Sequence, residues 1–473
     1  MGPETDLPMR STRALLLVVV PMIAVLLNLM VWIAGVSRSG FWADDFLNLT
    51  SFNRTFGALS DDHINKGKYV INLFWALGTD AFGLGSVVPF LMLNTLVLAA
   101  GVLLWLWIGS RRRWSSVDAW WIGALFLASA AWLPTALWSS NVTHSAGFLA
   151  LGVGLLAHER CVAARTLRGG VAWSALGGAA WTLALVSNLI YLGLLPIAAY
   201  CTLHQVVRLT TLGMARRRAI VATSTWNLAL PVIYFATVGY PATTSSSTYA
   251  ESGLKYIHGN YDYYKYLLAP TGILVALYLL AVALAVAAAI IGIRRRDLFP
   301  TAVLIAAAGT AVPAFLQGQQ RDIHYLAMPL LLLFSTIAAG ALPGSLIKPT
   351  QVARVRGALL GIAFVALVLI FRQGAEIRSF FVNTPYGAQL AGFRSQVAAL
   401  TPAGGVMCAR LALDPQHQAL LVAEMSGAAG FVVPPIDAGQ VFMFPAGQRC
   451  PAPGPASTVT ISLNSRSEFV AGP

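Results

Sequence analysis

Charged residues are scarce in this chain. Only 10% of its 473 residues are Asp, Glu, Lys or Arg, whereas 57% are hydrophobic. Soluble domains carry a charged fraction of about a quarter, so this composition excludes an ordinary soluble protein and predicts many membrane spans. Acidic residues are rarer than basic ones, with 18 Asp and Glu against 31 Lys and Arg, and the formal net charge is +13.

An excess of positive charge can indicate a nucleic-acid-binding protein, but its distribution here argues against such a partner. The basic residues form small clusters between apolar runs, as at Arg111–Arg113, Arg216–Arg218 and Arg294–Arg296. Cytoplasmic loops of membrane proteins carry clusters of this kind. We therefore place the clusters in the cytoplasm, which requires an even number of crossings between any two of them.

The apolar runs then predict about eleven transmembrane helices, at roughly 20 residues per crossing. The predicted spans are 14–35, 84–109, 120–138, 145–158, the two parts of 171–205 on either side of Ser187-Asn188, 219–238, 267–293, 301–316, 326–342 and 357–371. The fold class is an all-α polytopic membrane protein with a cytoplasmic N-terminus. Residues 1–372 form the transmembrane module, and residues 373–473 form a small extracytoplasmic domain. The expected location is the plasma (inner) membrane of a bacterium.

Cysteine is also scarce, with four residues in the chain. Cys408 and Cys450 both lie in the C-terminal tail, which the count of crossings places outside the cytoplasm. A disulfide between them is expected in an oxidising compartment. Spacing alone does not prove a bridge, and two unpaired thiols remain the alternative.

The rarity of acids gives weight to Asp44 and Asp45, which follow the first apolar run and stand between Trp42 and Phe46. A carboxylate partly withdrawn from water beside aromatic rings has a raised proton affinity and can act as a general base near neutral pH. Neighbouring residues of a helix do not face the same way, so one of the two acids is expected to point into a site.

An acidic pair in the first external loop, here residues 36–69, resembles the GT-C superfamily of integral-membrane glycosyltransferases. The resemblance covers about three-quarters of the chain. It implies a GT-C-like fold and an enzyme that passes a sugar from a polyprenyl-phosphate donor to a glycan, glycolipid or protein acceptor on the outer side of the membrane, in cell-envelope glycan or glycolipid synthesis. Asp44 or Asp45 would be the base of an inverting transfer. The sugar is not specified.

The stretch 317–325 contains a second candidate site. Arg321, His324 and Tyr325 have the spacing of one helix face. A helix N-terminus with an arginine suits an anion such as a lipid phosphate. A basic residue followed by Tyr and Leu, then Pro, at the start of a late helix resembles the carrier-phosphate region of GT-C enzymes, although here Asp322-Ile323-His324 separates Arg321 from Tyr325. Lys66 and Lys68 would assist. An interfacial anchor, with the Arg321 and Tyr325 side chains among lipid headgroups, is the alternative.

The predicted external loop 239–266 is rich in tyrosine. Tyr256, His258 and Tyr261 offer flat apolar faces with hydrogen-bonding edges that suit a sugar ring or an isoprenoid chain, so they are candidates for an acceptor site or a lid. A solvated loop with an aromatic belt explains the same residues.

A divalent cation is a possible cofactor, since Asp61-Asp62-His63 has suitable ligand types. A helix N-cap beside a solvated histidine is the preferred interpretation of these residues, so no metal ligand is assigned.

The uncommon polar segments fall on one predicted side of the membrane, which favours an external active site. They include Asp44-Asp45, Asn141 with His144, Ser187-Asn188, the Tyr-rich loop and 317–325. A transporter or flippase is the alternative function. Such proteins carry ionisable residues within their spans and internal repeats, and the sequence shows neither.

Overall fold

A computed structural model describes most of the helical part of the chain and five strands of the tail. The described residues are 7–38, 69–82, 87–112, 114–138, 141–211, 215–239, 253–316, 323–339, 349–383, 406–412, 431–432, 440–445, 449, 457–463 and 469–472.

Helices account for nearly all of the described residues before position 384. The α-helices are α1 (Leu7–Arg38), α2 (Tyr69–Phe82), α3 (Val88–Arg112), α4 (Ser116–Ala128), α5 (Leu133–Leu137), α6 (Val142–Ala163), α7 (Leu167–Ser187), α8 (Leu195–Thr211), α9 (Arg216–Ser224), α10 (Leu230–Tyr234), α11 (Ile257–Leu268), α12 (Gly272–Arg294), α13 (Phe299–Leu316), α14 (Ala327–Ala339) and α15 (Pro349–Asn383). Turns of 3₁₀-helix occupy Leu189–Leu194, Leu254–Tyr256 and Ile323–Leu326, and π-helical turns occupy Thr225–Ala229 and Phe235–Gly239.

Nine helical segments among the described residues are long and apolar enough to cross a membrane. They are Val18–Val36, Val88–Arg111, Val142–Ala163, Leu167–Ser187, Leu189–Thr211, Val221–Gly239, Gly272–Arg294, Phe299–Leu316 and Ala358–Ala375. Two shorter apolar helices, Ser116–Ala128 and Ile323–Ala339, coincide with two further predicted spans. The protein is thus an all-α polytopic membrane protein, as its composition predicted.

Prolines explain why two helices begin with 3₁₀ turns. Pro196 and Pro329 stand in the first turns of α8 and α14. A proline has no N–H with which to bond the carbonyl four residues earlier, so regular α-helix does not continue backwards past this turn. The chain tightens instead, and the N–H of Leu195 donates to the carbonyl of Leu192.

Close backbone contact holds the middle of the bundle together. A Cβ on Gly101 of α3 would overlap the backbone of Phe148 in α6, and a Cβ on Gly152 would lie 2.6 Å from the Gly101 carbonyl oxygen. Only glycine permits this approach. Beside the crossing, the buried Trp105 indole donates to the Ser335 hydroxyl of α14 at 2.8 Å.

The last helix is fastened to the bundle by a buried arginine. Arg378 of α15 is 5% exposed. Its guanidinium donates to Asn28 Oδ1 of α1 at 3.2 Å and to the Ala128 carbonyl at the end of α4 at 2.8 Å. A cation at a helix C-terminus is stabilised by the helix dipole. Burial lowers the pKa of Arg378 to about 10, which leaves the side chain charged at neutral pH.

The tail contains a five-stranded sheet. Its strands are β1 (Val406–Leu411), β2 (Phe431–Val432), β3 (Gln440–Pro445), β4 (Ser457–Leu463) and β5 (Phe469–Gly472), in the order β2-β3-β1-β4-β5. The central strand β1 runs parallel to β3 and β4, with Cys408 opposite Phe442 and Thr458. The outer strands β2 and β5 are antiparallel to their neighbours. No strand was predicted there.

Two expected boundaries differ from the structure. The predicted loop 239–266 contains the helix α11, which begins at Ile257. Its apolar positions are too few for a span, but Tyr264 and Leu268 are buried and Tyr261 and Tyr266 are exposed. The position 372–373, predicted to separate the two domains, falls inside α15. The division of the chain into two domains stays a prediction.

Candidate active site

Three of the polar segments that the sequence placed on one side of the membrane meet in a buried cluster. We call the six side chains the histidine cluster: Trp138, His144, Asn188, Tyr191, His324 and Tyr325. His144 comes from the first turn of α6, Asn188 and Tyr191 from the junction of α7 and α8, and His324 from the turn before α14. The ring centroids of His144 and His324 are 4.4 Å apart. Residues separated by 180 positions therefore share one site.

Hydrogen bonds fix the orientation of each polar group around His144. The Ile190 N–H donates to Asn188 Oδ1 at 3.2 Å, which turns the amide NH₂ toward His144 Nε2, 3.5 Å away. Tyr191 donates its hydroxyl proton to the His144 carbonyl at 3.0 Å, so its oxygen is left to accept from His144 Nδ1 at 3.2 Å. These contacts are satisfied together by the tautomer of His144 that carries a proton on Nδ1.

His324 and Tyr325 stand on the other side of the same cluster. Both are buried, and their ring centroids are 4.1 Å apart. The Trp138 ring meets the edge of His324 with centroids 6.1 Å apart. The sequence predicted that these two residues lie on the first turn of an α-helix. They lie instead in a 3₁₀ turn, because Pro329 delays the start of α14 to Ala327.

The end of α1 reaches the same end of the bundle. Val36 is buried in the same apolar core as Leu137 of α5, and a Cβ on Gly35 would lie 2.7 Å from the Leu137 side chain. Helix α5 ends beside Trp138, which belongs to the histidine cluster. The described end of α1, which precedes Asp44 and Asp45 in the sequence, therefore lies close to the cluster.

Several predicted site residues lie outside the described residues. They are Asp44, Asp45, Lys66, Lys68 and Arg321, together with Asp61-Asp62-His63. In the sequence, Asp44 comes six residues after Arg38, and Arg321 comes two residues before Ile323. Their roles stay predictions.

The three residues predicted for an acceptor site or lid lie on or beside α11 and outside the cluster. His258 is exposed and contacts Asp262 one turn later, at 3.0 Å. Tyr261 is exposed, and the Tyr256 ring lies under the Lys255 ammonium at 4.8 Å from its centroid. The opposite face of α11 is fixed to the bundle, since the Asn260 amide donates to the Phe315 carbonyl at 2.9 Å.

Helix α11 nevertheless contacts α13, the helix that precedes the candidate phosphate segment 317–325 in the sequence. Phe315 is the next-to-last residue of α13, and residues 317–322 connect that helix to His324. A role for Tyr256, His258 and Tyr261 near the site stays a prediction.

Cys408 is disulfide-bonded. Cys450, its predicted partner, lies outside the described residues, so the pairing stays a prediction. Cys161 and Cys201 are buried free thiols.

Two polar features of the fold were missed by the sequence analysis. Tyr191 looks like part of an apolar run, yet its hydroxyl makes two contacts with His144. At the other end of α6, the buried His158 lies with Nε2 3.2 Å from His204 Nδ1. His158 could have been noticed in the sequence because it is a histidine within an apolar run. Within the described part of the chain, no three His, Cys, Asp or Glu side chains are grouped to hold a metal ion.

The sequence matches no protein-family model. No curated protein matches it either. Among solved structures, the chain is similar to the crystal structure of ArnT from Cupriavidus metallidurans bound to undecaprenyl phosphate, with a TM-score of 0.48 and 15% identity over 82% of each chain. For the apo state of that protein, the TM-score is 0.46 at 15% identity, over 82% of this chain and 81% of the other. Similarity of this degree is no basis for an activity, so the function is argued from this chain's own residues.

Proposed function

We propose that this chain is a GT-C glycosyltransferase that transfers a sugar from a polyprenyl-phosphate carrier to an acceptor hydroxyl on the outer face of the membrane. The main support is the convergence at the histidine cluster. The end of α1, which leads to Asp44 and Asp45, and the turn that follows Arg321 both adjoin this cluster. A base and a phosphate-binding cation would thus come from opposite ends of the sequence to one end of the bundle.

The reaction is an inverting substitution at the anomeric carbon. Asp44 or Asp45 takes the proton of the acceptor hydroxyl, and the acceptor oxygen forms a bond to the anomeric carbon. The bond between that carbon and the carrier phosphate oxygen breaks, and the phosphate leaves with the electron pair. One glycosidic bond replaces one glycosyl-phosphate bond, and no oxidant or nucleotide is required.

The leaving phosphate needs positive or hydrogen-bond-donating groups. Arg321 supplies a permanently charged fork, with Lys66 and Lys68 as further cations. Tyr325 and His324, two turn residues that follow Arg321, supply a hydroxyl and an imidazole. The internal network of His144, Asn188 and Tyr191 holds the turn in place by packing, since the His144 ring contacts both His324 and Tyr325.

The test is transfer of label from a panel of polyprenyl-phosphate sugars to acceptors in membranes that contain the purified protein. Transfer with at least one donor, and its loss in Arg321→Ala, is the expected result. The matched control is Arg168→Ala, an exposed arginine at the start of α7, which should keep full transfer.

No transfer with any donor would contradict the proposal. Movement of a lipid-linked sugar across the membrane without formation of a product would favour the flippase instead. The two outcomes are distinguished by chromatography of the labelled material, since only a transferase changes the chemical identity of the labelled compound.

A further inference from the structure

A cavity of about 630 Å³ opens between α4, α12, α14 and α15, apart from the histidine cluster. None of the six cluster side chains lines it. Most of its wall is apolar, with Leu125, Leu284, Phe334 and Leu360 among the lining residues. The polar and charged residues Ser110, Arg111, Ser115 and Asp118 line it where α3 ends and α4 begins. The groove therefore has one polar, charged end, and the rest of its wall is apolar.

The groove has the depth of one membrane leaflet. On α15 its lining runs from Leu359 to Ile370, which at 1.5 Å per residue is about 16 Å. The hydrocarbon core of a bilayer is about 30 Å thick. Near Ile370 the helices close on one another, since Trp121, Leu274 and Ile370 pack in a common apolar cluster.

The polar end of the groove carries a cation that has no acidic partner within the described part of the chain. Arg111 is exposed, and its guanidinium lies 5.1 Å from the centre of the Trp107 ring. The nearby Asp118 carboxylate is engaged in the cap of α4, where it accepts from the Ser115 hydroxyl at 2.7 Å and from the Ser115 N–H at 3.0 Å. In the sequence, the cluster Arg111–Arg113 carries three positive charges against this one carboxylate.

We propose that this groove binds one anionic phospholipid of the cytoplasmic leaflet, with its phosphate beside Arg111 and one acyl chain along α15. The predicted orientation puts the Arg111–Arg113 cluster on the cytoplasmic side, where anionic headgroups meet basic residues between helices. A polyprenyl-phosphate donor is a poorer fit, because its phosphate is expected at the opposite end of the bundle. Only the exclusion of this donor rests on the proposed function, and the binding of the phospholipid is tested independently of sugar transfer.

The test compares binding of phosphatidylglycerol and phosphatidylcholine to the delipidated full-length protein in detergent, by native mass spectrometry. Wild type should bind one phosphatidylglycerol in preference to phosphatidylcholine. Arg111→Gln should weaken phosphatidylglycerol binding about fivefold, the effect of ~1 kcal/mol for one arginine near a headgroup, and leave phosphatidylcholine unaffected. Arg168→Gln is the matched control on the same predicted face and should bind as wild type does.

A second pair of variants tests the acyl-chain part of the groove. Ala363→Phe puts a ring into the lining and should abolish retention of the lipid, whereas Val365→Phe, on the exposed face of the same helix, should not. Thermal unfolding of both variants checks that they are folded. The proposal would be overturned if wild type bound the two lipids equally, or if the two variants of either pair had equal effects on lipid binding. Displacement of phosphatidylglycerol by equimolar polyprenyl phosphate would also overturn it.

Discussion

Replacing Arg378 by methionine should destabilise the protein by about 3 kcal/mol. The guanidinium donates to Asn28 Oδ1 at 3.2 Å, to the Phe371 carbonyl at 2.6 Å and to the Ala128 carbonyl at 2.8 Å. Methionine fills similar space but leaves these three acceptors without their donor, at about 2 kcal/mol each. The gross loss is then about 6 kcal/mol.

Part of this loss is offset because methionine has no charge to desolvate. Burial lowers the pKa of Arg378 from its ordinary value to about 10, and at ~1.4 kcal/mol per unit this shift corresponds to about 3 kcal/mol of relieved penalty. When the pKa of a basic group is lower in the folded state than in the unfolded state, the group's contribution to the free energy of unfolding is constant at pH values below the folded pKa. It changes only as the pH rises through that value. The difference between wild type and Arg378→Met should therefore be constant from about pH 6 to about pH 9.

The assay is thermal and denaturant unfolding of the purified protein in one detergent. Arg372→Met, at an exposed position of the same helix, is the control and should unfold with wild type. Asn28→Leu should show a coupling of about 1 kcal/mol or more with Arg378→Met, because the two side chains share two hydrogen bonds. Equal stability of the two arginine variants, or additive effects with Asn28→Leu, would refute the account.

Three further substitutions test the cluster and its supports. Tyr191→Phe removes both contacts with His144 and should cost about 1–3 kcal/mol of unfolding free energy and lower sugar transfer. Gly193→Ala should be strongly destabilising, by about 2 kcal/mol or more, because its Cβ would overlap the backbone of Gly309. Ala130→Gly should stabilise by about 0.5–1 kcal/mol, since Ala130 has a φ of 58°. Thermal unfolding measures all three.

Matched controls exist for each of these changes. Tyr266→Phe alters a tyrosine that is 66% exposed and should leave stability unchanged. Gly272→Ala, where a Cβ would meet nothing within 4 Å, should be neutral or slightly stabilising. Ala131→Gly changes the residue after Ala130, which is also buried but whose φ is not positive, and should destabilise the protein. If a control and its partner behave alike, the corresponding contact does not have the assigned effect.

The bundle was largely predictable because apolar runs and basic clusters are each local signals. Ser187-Asn188 marked the break that the structure has after Ser187. Counting crossings placed the segments that contain His144 and His324 on the same predicted side of the membrane. The contact between them, 4.4 Å between ring centroids, could not be predicted without the packing.

The unpredicted features depend on tertiary contacts. Arg378 looks like an ordinary basic residue after the last span, and its burial requires the ends of α1 and α4 together. The helix α11 has too few apolar residues to stand out, and its buried Asn260 is fixed by carbonyls of α13. The sheet of the tail pairs β1 with β3 and β4 across long connections, which periodicity in short runs does not reveal.

The most direct test of the central claim compares Asp44→Asn and Asp45→Asn with wild type in the transfer assay, with Asp80→Asn of α2 as the control carboxylate. Donor binding is measured in parallel with a non-transferable analogue. One of the two variants is expected to bind the donor, remain folded and lose transfer, whereas Asp80→Asn should transfer as wild type does. Full transfer in both Asp44→Asn and Asp45→Asn would contradict it.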